Sequence, residues 1–469
     1  MNGVSLKSRE MEKLGVPKGP VRKAAIQAVT RARAVGRSKE LIAEDIKAVI
    51  DNIDAWLQDS VYGDFALMLK NHQSLYSGEF FQGDPAPWKQ WGEDIDPAAQ
   101  KQLIDACDLP VSVRGALMPD AHLGFGLPIG GVLATRNAVI PKAVGVDIAC
   151  RMKLTILDRE VDHLHRYRTQ FIQALEKETC FGIGSGFKRP RNHAVLDEDW
   201  SDPVLQRVRD RAHRQLGSSG SGNHFVEFGT VEVNDSRLGL KPGSYLALLS
   251  HSGSRGAGAF VADHWSRLAK SMHPHLPRHL QDLAWIDLDH EEGQRYWNAM
   301  ELMGKYAEAN HECIHKALLK SLGAHSLTSV ENHHNFAWIE NHGGEDLVVH
   351  RKGATPAGEG VLGVIPGSMT APTHVVIGKG SAESLCSSSH GAGRRMSRRQ
   401  AKLKYRNADL RQAVEKAGVE LLSAGIDESP MVYKDIQEVM DAQTDLVESV
   451  ALFMPKIVRM APAGEKPED

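Results

Sequence analysis

The chain is poor in several features that would each have assigned it to a large class. Cysteine is scarce: five in 469 residues (Cys107, Cys150, Cys180, Cys313 and Cys386), an odd, scattered set with no Cys-x-x-Cys pair. That usage points to reduced thiols in a cytoplasm. No apolar run reaches the ~18 residues that a membrane span needs. The opening residues Met1-Asn2-Gly3-Val4-Ser5 have no signal-peptide apolar core, so no membrane association is expected. Neither sign of charge dominates. Lys and Arg number 56 against 59 Asp and Glu, a formal net charge of −3, so any contact with a polyanion has to come from a local patch. Internal repeats, low-complexity tracts and the Gly-Lys-Ser/Thr end of a P-loop are all missing.

What remains is a globular composition, 42% hydrophobic and 25% charged, ample for a large core. The length suggests about two to three domains or one large one. Histidine is the unusual residue, with 22 in the chain, many beside glycine.

Residues 1–75 read as a small helical extension. Gly15 to Pro20 forms a turn, a basic helix runs from Val21 to Val35, and an apolar-periodic helix from Ser38 to Leu57 has Ser38 as N-cap. From about Leu103 the style changes to short apolar runs broken by glycine. Those around Leu117, Leu133, Leu248, Val348 and Val376 are predicted as buried strands. Helices are predicted over Ala257–Met272, Gln294–Leu322, Ala408–Ala424 and Asp435–Met454, with Lys188–Arg214 as charged surface and residues 462–469 as a solvated, flexible tail. The class is α/β (α+β), mixed sheets with surrounding helices, and residues 76–461 form the main domain.

Glycine-flanked segments carry the chemistry. Asp147 and Cys150 follow an apolar run from Val139, and a strand ending in a turn would let the carboxylate and thiol converge on a divalent transition ion. A merely buried cysteine fits the same pattern. In Gly220 to Glu227, glycines let the backbone approach a ligand at which Asn223 and His224 point. His251 to Gly258 reads as a strand entering a glycine-rich turn and a helix, offering N–H groups to a phosphate with Arg255 as charge partner. His333-His334 follows a long helix. In Ser387 to Arg398 a small-residue loop presents His390 ahead of Arg394, Arg395 and Arg398. That segment suits either a phosphorus-directed nucleophile with charge partners or a plain basic helix start.

Met118-Pro119-Asp120-Ala121-His122-Leu123-Gly124, Gly-Val-Asp-Ile-x-Cys, Gly-Asn-His-Phe, His-Ser-Gly-Ser-Arg-Gly, His-His-Asn, Arg-Lys-Gly-Ala, Ile-Pro-Gly-Ser-Met, Ser-His-Gly-Ala-Gly-Arg and Tyr433-Lys434-Asp435-Ile436 follow one another. From Lys101 to Met460 this order resembles the RtcB family of RNA ligases. The resemblance implies a GTP- and manganese-dependent enzyme joining RNA 3′-phosphate or 2′,3′-cyclic phosphate ends to 5′-hydroxyl ends. It implies Cys150 bridging two Mn²⁺ ions, with Asp147 and His224 completing one site and His251 and His334 the other, and His390 as the residue that carries GMP. By the same resemblance, Asn223, Glu227, Ser368, Gly391, Ala392, Gly393 and Tyr433 contact the nucleotide. Arg255, Lys352 and Arg398 hold phosphate or RNA, and Asp120 and His122 line the site. An archease-type activator joins the RNA as an implied partner.

Three features depart from the family pattern. Where the family ends in Lys-Gly, its lysine on the nucleotide, counting on from Tyr433 lands on Met460, and the chain continues to Asp469. Lys456 and Arg459 are nearby substitutes. The glycine after the bridging cysteine is Arg151, which is expected near the cations or turned toward bound phosphate. The helical extension, with Arg22, Lys23, Arg31, Arg33, Arg37 and Lys39, is either a packing or dimer element or an RNA-gripping arm. Two other functions stay open: a manganese phosphodiesterase that opens cyclic phosphates without sealing, and a non-catalytic RNA-binding paralogue.

Overall fold

The computed structural model describes residues 8–17, 20–76, 84–274 and 276–465. The N-terminal segment folds as helices Ser8–Lys13, Pro20–Ala34, Lys39–Asp51 and Gly63–Tyr76. Ser38 is the N-cap, accepting from the Leu41 N–H, as its position before an apolar-periodic run requires. The helices close over their own core, in which Ala25, Ala32, Ile46, Val49, Tyr62 and Phe65 are buried. Much of the basic cluster is met inside this module. Arg31 pairs with Asp64 at 2.5 Å, Lys39 with Glu10 at 2.6 Å and Arg37 with Asp45, while Arg22 donates to the Val16 carbonyl at 3.0 Å. Lys18 and Gly19 of the expected turn lie outside the described residues, as do residues 466–469 of the expected tail.

Two large sheets, with two small two-stranded ones beside them, organise the rest. In the first, the strand order is Trp88–Gln90, Ser112–His122, Ile129–Thr135, Glu345–Lys352 and Asn335–His342. In the second, the order is Leu362–Pro366, Thr373–Gly378, Val447–Met460, Phe225–Val233, Gly243–Ser252, Arg151–Leu157 and Ser326–His333, with Glu420–Ser423 added parallel to Val447–Met460. Alternation assigns each strand's two faces. Leu117, Leu133 and Val348 enter a large core under the helices Pro203–Gln215, Arg255–Met272 and Glu291–Leu322, whereas Ala116, Met118, Val132 and Val349 enter the opposite one. In the second sheet Leu246 and Leu248 pack toward helix Arg168–Glu178, and Ala247 and Leu249 pack with Met152, Val375 and Phe453 on the other face. The α/β class with mixed sheets is therefore the observed one, and the five apolar runs are all strands.

Three predicted segments differ. The helix expected over Ala408–Ala424 stops at Lys416, because Gly418 turns the chain at φ 65° and Glu420–Ser423 pairs as a strand. The helix expected over Asp435–Met454 is only Ile436–Asp441. The following Val447–Met460 is a long central strand, whose Pro455 falls at a register shift rather than inside a helix. Lys188–Arg214 is more than charged surface, since its second half is helix Pro203–Gln215 with Val204, Leu205, Val208 and Ala212 buried along one stripe.

Phe453 is fully buried in the second sheet, so Phe453→Ala is expected to cost about 3–5 kcal/mol by cavity formation. Urea denaturation of the two proteins, with the midpoint shifting and the slope unchanged, checks this.

Candidate active site and metal centre

The two sheets meet at one end, and the histidine-rich segments collect in that seam. Asp147 and Cys150 do not end a strand as the apolar run suggested. A short helical turn, Pro141–Val144, is followed by Gly145 at φ 109° and Ala149 at φ 55°, and Cys150 precedes the strand Arg151–Leu157. The segment is tied to its neighbours by Ala149 N–H to the Asn335 carbonyl (2.7 Å) and by His334 N–H to the Cys150 carbonyl (3.0 Å).

Around the Cys150 sulfur stand His224 Nε2 at 3.3 Å and His251 Nε2 at 3.0 Å. His224 Nε2 is 3.1 Å from Asp147 Oδ2, and His251 Nε2 is 3.2 Å from His334 Nε2. All five side chains are buried. They form two triads that share the sulfur, Asp147–Cys150–His224 and Cys150–His251–His334. His251 Nδ1 faces the Asn223 carbonyl at 3.2 Å. With its proton there, Nε2 presents a lone pair to another imidazole nitrogen. Asp147 Oδ2 has no hydrogen-bond partner apart from the His224 nitrogen it faces. A sulfur, imidazole nitrogens and a carboxylate oxygen converging in two buried triads are a donor set that fits a divalent transition ion at each. Burial and the neighbouring His224 and His390 push His251 down to about 3, and burial depresses His334 strongly, so both rings are neutral. Burial alone would raise the Asp147 carboxyl. The His224 contact and the Arg255 charge outweigh it and hold Asp147 below the usual range.

The turn His251 to Gly258 works differently from expectation. The Ser254 N–H at the start of helix Arg255–Met272 goes to Asp147 Oδ1 at 3.0 Å, and the Gly256 N–H goes to Gln215 Oε1 at 3.1 Å. The anion at this helix N-terminus is thus the chain's own carboxylate. Gly253 is required by that approach, since a Cβ there would lie 2.2 Å from Asp147 Oδ2. Likewise a Cβ on Gly220 would lie 2.0 Å from His224 Nδ1.

His390 closes the site from the other side, its ring centroid 5.0 Å from that of His334. Asp120, fully buried in the first sheet, receives His390 Nδ1 at 2.6 Å, the His390 N–H at 3.0 Å and the Gly391 N–H at 3.3 Å, all on Oδ2. The imidazole therefore turns Nε2 outward. Gln443 brackets the preceding residue, accepting the Ser389 N–H at 2.9 Å and donating to Ser389 Oγ.

A cavity of about 840 Å³, its mouth included, opens beside these groups. Asn223, Glu227, Ser368, Gly391, Ala392, Gly393 and Tyr433 line it, as do His122, His251, His334 and His390. Its floor is one face of the second sheet, where Phe225 opposes Met460 and Glu227 opposes Val458. Burial is the cause acting on Glu227 and pushes its carboxyl well above the usual range. Burial also takes His122 down to about 4.

The three basic residues expected on phosphate stand behind this wall. Arg255 is buried, with Nε on Ser218 Oγ at 3.1 Å. Lys352 donates to the carbonyls of Phe125 and Lys142, and burial lowers it to about 7. Arg398 pairs with Glu428 and with Asp427 at 3.4 Å. The cation that lines the cavity is Arg394, beside Glu428 at 3.2 Å. Arg151 reaches neither cluster nor cavity. Strand alternation turns it to the far face, onto Glu331 at 3.3 Å. Arg459 likewise faces away, donating to the carbonyls of Leu175 and Glu176, so Met460 alone of the C-terminal candidates reaches the cavity.

Sequence reading missed the supports. Behind His251, Ser250 Oγ meets His311 Nδ1 at 2.7 Å and His315 Nε2 at 2.8 Å. His311 Nε2 meets the Ser252 carbonyl at 3.1 Å, and His315 Nδ1 meets Thr155 Oγ1 at 2.8 Å. One proton order satisfies the whole chain: Thr155 to His315 to Ser250 to His311 to Ser252. Asn310 adds bonds to Gly217 N–H (2.6 Å) and the Ser218 carbonyl (3.0 Å), ahead of His224. The available signal was His311-Glu312-Cys313-Ile314-His315, a His-Glu-x-x-His spacing that puts both rings on one helix face, where they are committed to this hydrogen-bond chain.

Comparison with known proteins places the chain in a family. The family model described as tRNA-splicing ligase RtcB matches residues 102–202 and 188–461. The "RNA-splicing ligase RtcB" of Escherichia coli (strain K12) is 33% identical over 404 residues, covering 79% of this chain and 97% of that protein. The "tRNA-splicing ligase RtcB" of Nanoarchaeum equitans is 31% identical over 73% of this chain and 87% of its own length. That of Thermococcus kodakarensis is 30% identical over 74% and 86%.

His311 bonds both neighbours of His251, so His311→Ala is expected to loosen that strand end and weaken divalent-cation binding about tenfold, in the manner of outer-shell partners. Calorimetric titration with Mn²⁺ checks it. His311→Gln, which keeps a donor and an acceptor, is expected to lose less.

Proposed function

The chain belongs to the RtcB family, and from that premise we propose that it is an RNA ligase joining RNA 3′-phosphate or 2′,3′-cyclic phosphate ends to 5′-hydroxyl ends, using GTP and two Mn²⁺ ions, in tRNA splicing or RNA repair. The observation that carries the reading is His390, oriented by Asp120 and facing the Cys150-centred triads across one cavity.

With its Nδ1–H committed to Asp120, His390 attacks through the Nε2 lone pair. The N–P bond to the GTP α-phosphorus forms as the bond to the bridging oxygen breaks, and pyrophosphate leaves. Asp120 offsets the positive charge that the ring acquires. An RNA 3′-phosphate oxygen then takes the guanylyl group, the N–P bond breaks and neutral imidazole returns. The RNA 5′-hydroxyl finally attacks the activated 3′-phosphate, loses its proton and displaces GMP. A cyclic phosphate must first be opened by water. Held by Asp147, Cys150, His224, His251 and His334, the two Mn²⁺ ions would supply Lewis-acid stabilisation of phosphoryl charge. Asn223, Glu227, Ser368, the Gly391-Ala392-Gly393 loop and Tyr433 hold the guanylate, and Arg394 is the cation available to it. Arg255, Lys352 and Arg398 act through the wall they brace. The five unbridged cysteines suit a cytoplasmic enzyme. Its partners are the RNA and an archease-type activator.

The test is incubation with α-phosphate-labelled GTP and Mn²⁺, beside His390→Ala. Label on the unaltered protein only, stable to base and labile to acid, is the expected phosphoramidate. No label with Mn²⁺ bound would overturn the ligase reading in favour of a phosphodiesterase. Met460 stands where the family has its nucleotide-contacting lysine, and Glu227, whose carboxyl burial pushes upward, can pair in its protonated form with either purine. Labelling is therefore expected to prefer GTP over ATP by less than about tenfold, and Met460→Lys to sharpen the preference, read by competition between the two nucleotides.

A further inference from the structure

The lip of the cavity is the loop 123–128, which runs between two cavity-lining residues, His122 and Ile129. It exposes two large apolar side chains, Leu123 at 52% and Phe125 at 63%. The loop that carries them is fixed. Gln102 brackets Gly124, accepting its N–H at 3.0 Å and donating to its carbonyl at 2.7 Å. Gly126 turns at φ 73° against the Asp282 carbonyl, where a Cβ would come within 2.7 Å. The Lys352 ammonium ties the Phe125 carbonyl to that of Lys142. The next residue, Gly353, lies against the nucleophile, since a Cβ there would be 3.2 Å from His390 Cε1. Lys142 Nζ stands 5.6 Å from the Phe125 ring centroid.

An aromatic ring held in water on a braced loop cannot fold back to bury itself. One flat face beside one ammonium, at the mouth of a phosphate-handling cavity, suits a ligand that has a flat π-face and a phosphate one bond system away. A broad apolar patch would suit a protein partner instead. We propose that Phe125 and Lys142 form the platform on which a nucleotide next to the reacting RNA end stacks, its base on the ring and its phosphate at the ammonium. This rests on the RNA-ligase reading and adds to it the place where the strand enters. Lys352, buried beneath, is the positioning residue that holds both halves of the platform.

The experiment is fluorescence anisotropy of the full chain with a labelled 12-nucleotide RNA ending in a 3′-phosphate, over a salt series, alongside labelling of His390 by GTP. Phe125→Ala is expected to raise the Kd about tenfold with GTP labelling unchanged, and Phe125→Trp to restore the affinity. Lys142→Gln is expected to flatten the salt dependence by about one phosphate contact. All three substitutions are on exposed or half-buried side chains, so the fold is not at risk. Affinity of Phe125→Ala within twofold of the unaltered protein, with labelling intact, would overturn the platform alone and return the lip to a protein-docking role. A chain that takes no label yet loses RNA affinity through Phe125→Ala would remove the ligase reading and leave the platform standing.

Discussion

A buried polar atom must find a partner, and this seam gathers more lone pairs than protons. Cys150, three imidazoles and Asp147 meet within about hydrogen-bond distance of one another, out of water. Packing of this kind is stable only if the flanking groups are pinned and the remaining charge deficit is filled from outside. The elements around it answer the first need. A helix N-terminus meets Asp147, the Asn223 carbonyl meets His251, and Asn310 and His311 brace the backbone behind. A divalent cation in each triad would answer the second.

The same logic governs the opposite wall. One oxygen of Asp120 collects three N–H groups from the His390 loop, and that single acceptor decides both the loop's path and the nucleophile's orientation. Because Asp120 belongs to the first sheet, while His251 lies in the second and Cys150 and His224 immediately precede its strands, the distance between nucleophile and triads depends on how the two sheets pack. Substitutions in either core can therefore reach the chemistry without touching it. Basic residues follow a parallel pattern, with Arg398 and Arg394 met by Asp427 and Glu428 and Arg255 held at Ser218. Charge near the cavity is largely balanced by the protein, with Arg394 on the cavity lining and Lys142 at the lip among the cations placed to meet a polyanion.

Much of this was legible from residue order. Glycine next to histidine or aspartate marks places where backbone and ligand group come too close for a Cβ, and Gly220 and Gly253 are such places. The apolar runs declared their strands because burial on two faces leaves little else to read. The misread segments were those where local pattern and tertiary pairing compete. Val447–Met460 has a composition that either structure tolerates, and its position between two strands chose the extended one. Arg151 looked like an intrusion on the cations until the pleat turned it to Glu331.

The sequence by itself determined the identity and order of the ligand-type side chains, the strand-and-helix alphabet and the family, because these depend on local periodicity and on residue chemistry. Only the tertiary structure decided that Asp120 orients His390, that Met460 rather than Arg459 reaches the cavity, that Asp147 occupies the helix N-terminus read as a phosphate site, and that Phe125 stands at the lip. Each of those depends on groups far apart in the chain meeting at a particular distance and face, and that information resides in the register and packing of two sheets rather than in any short stretch of residues.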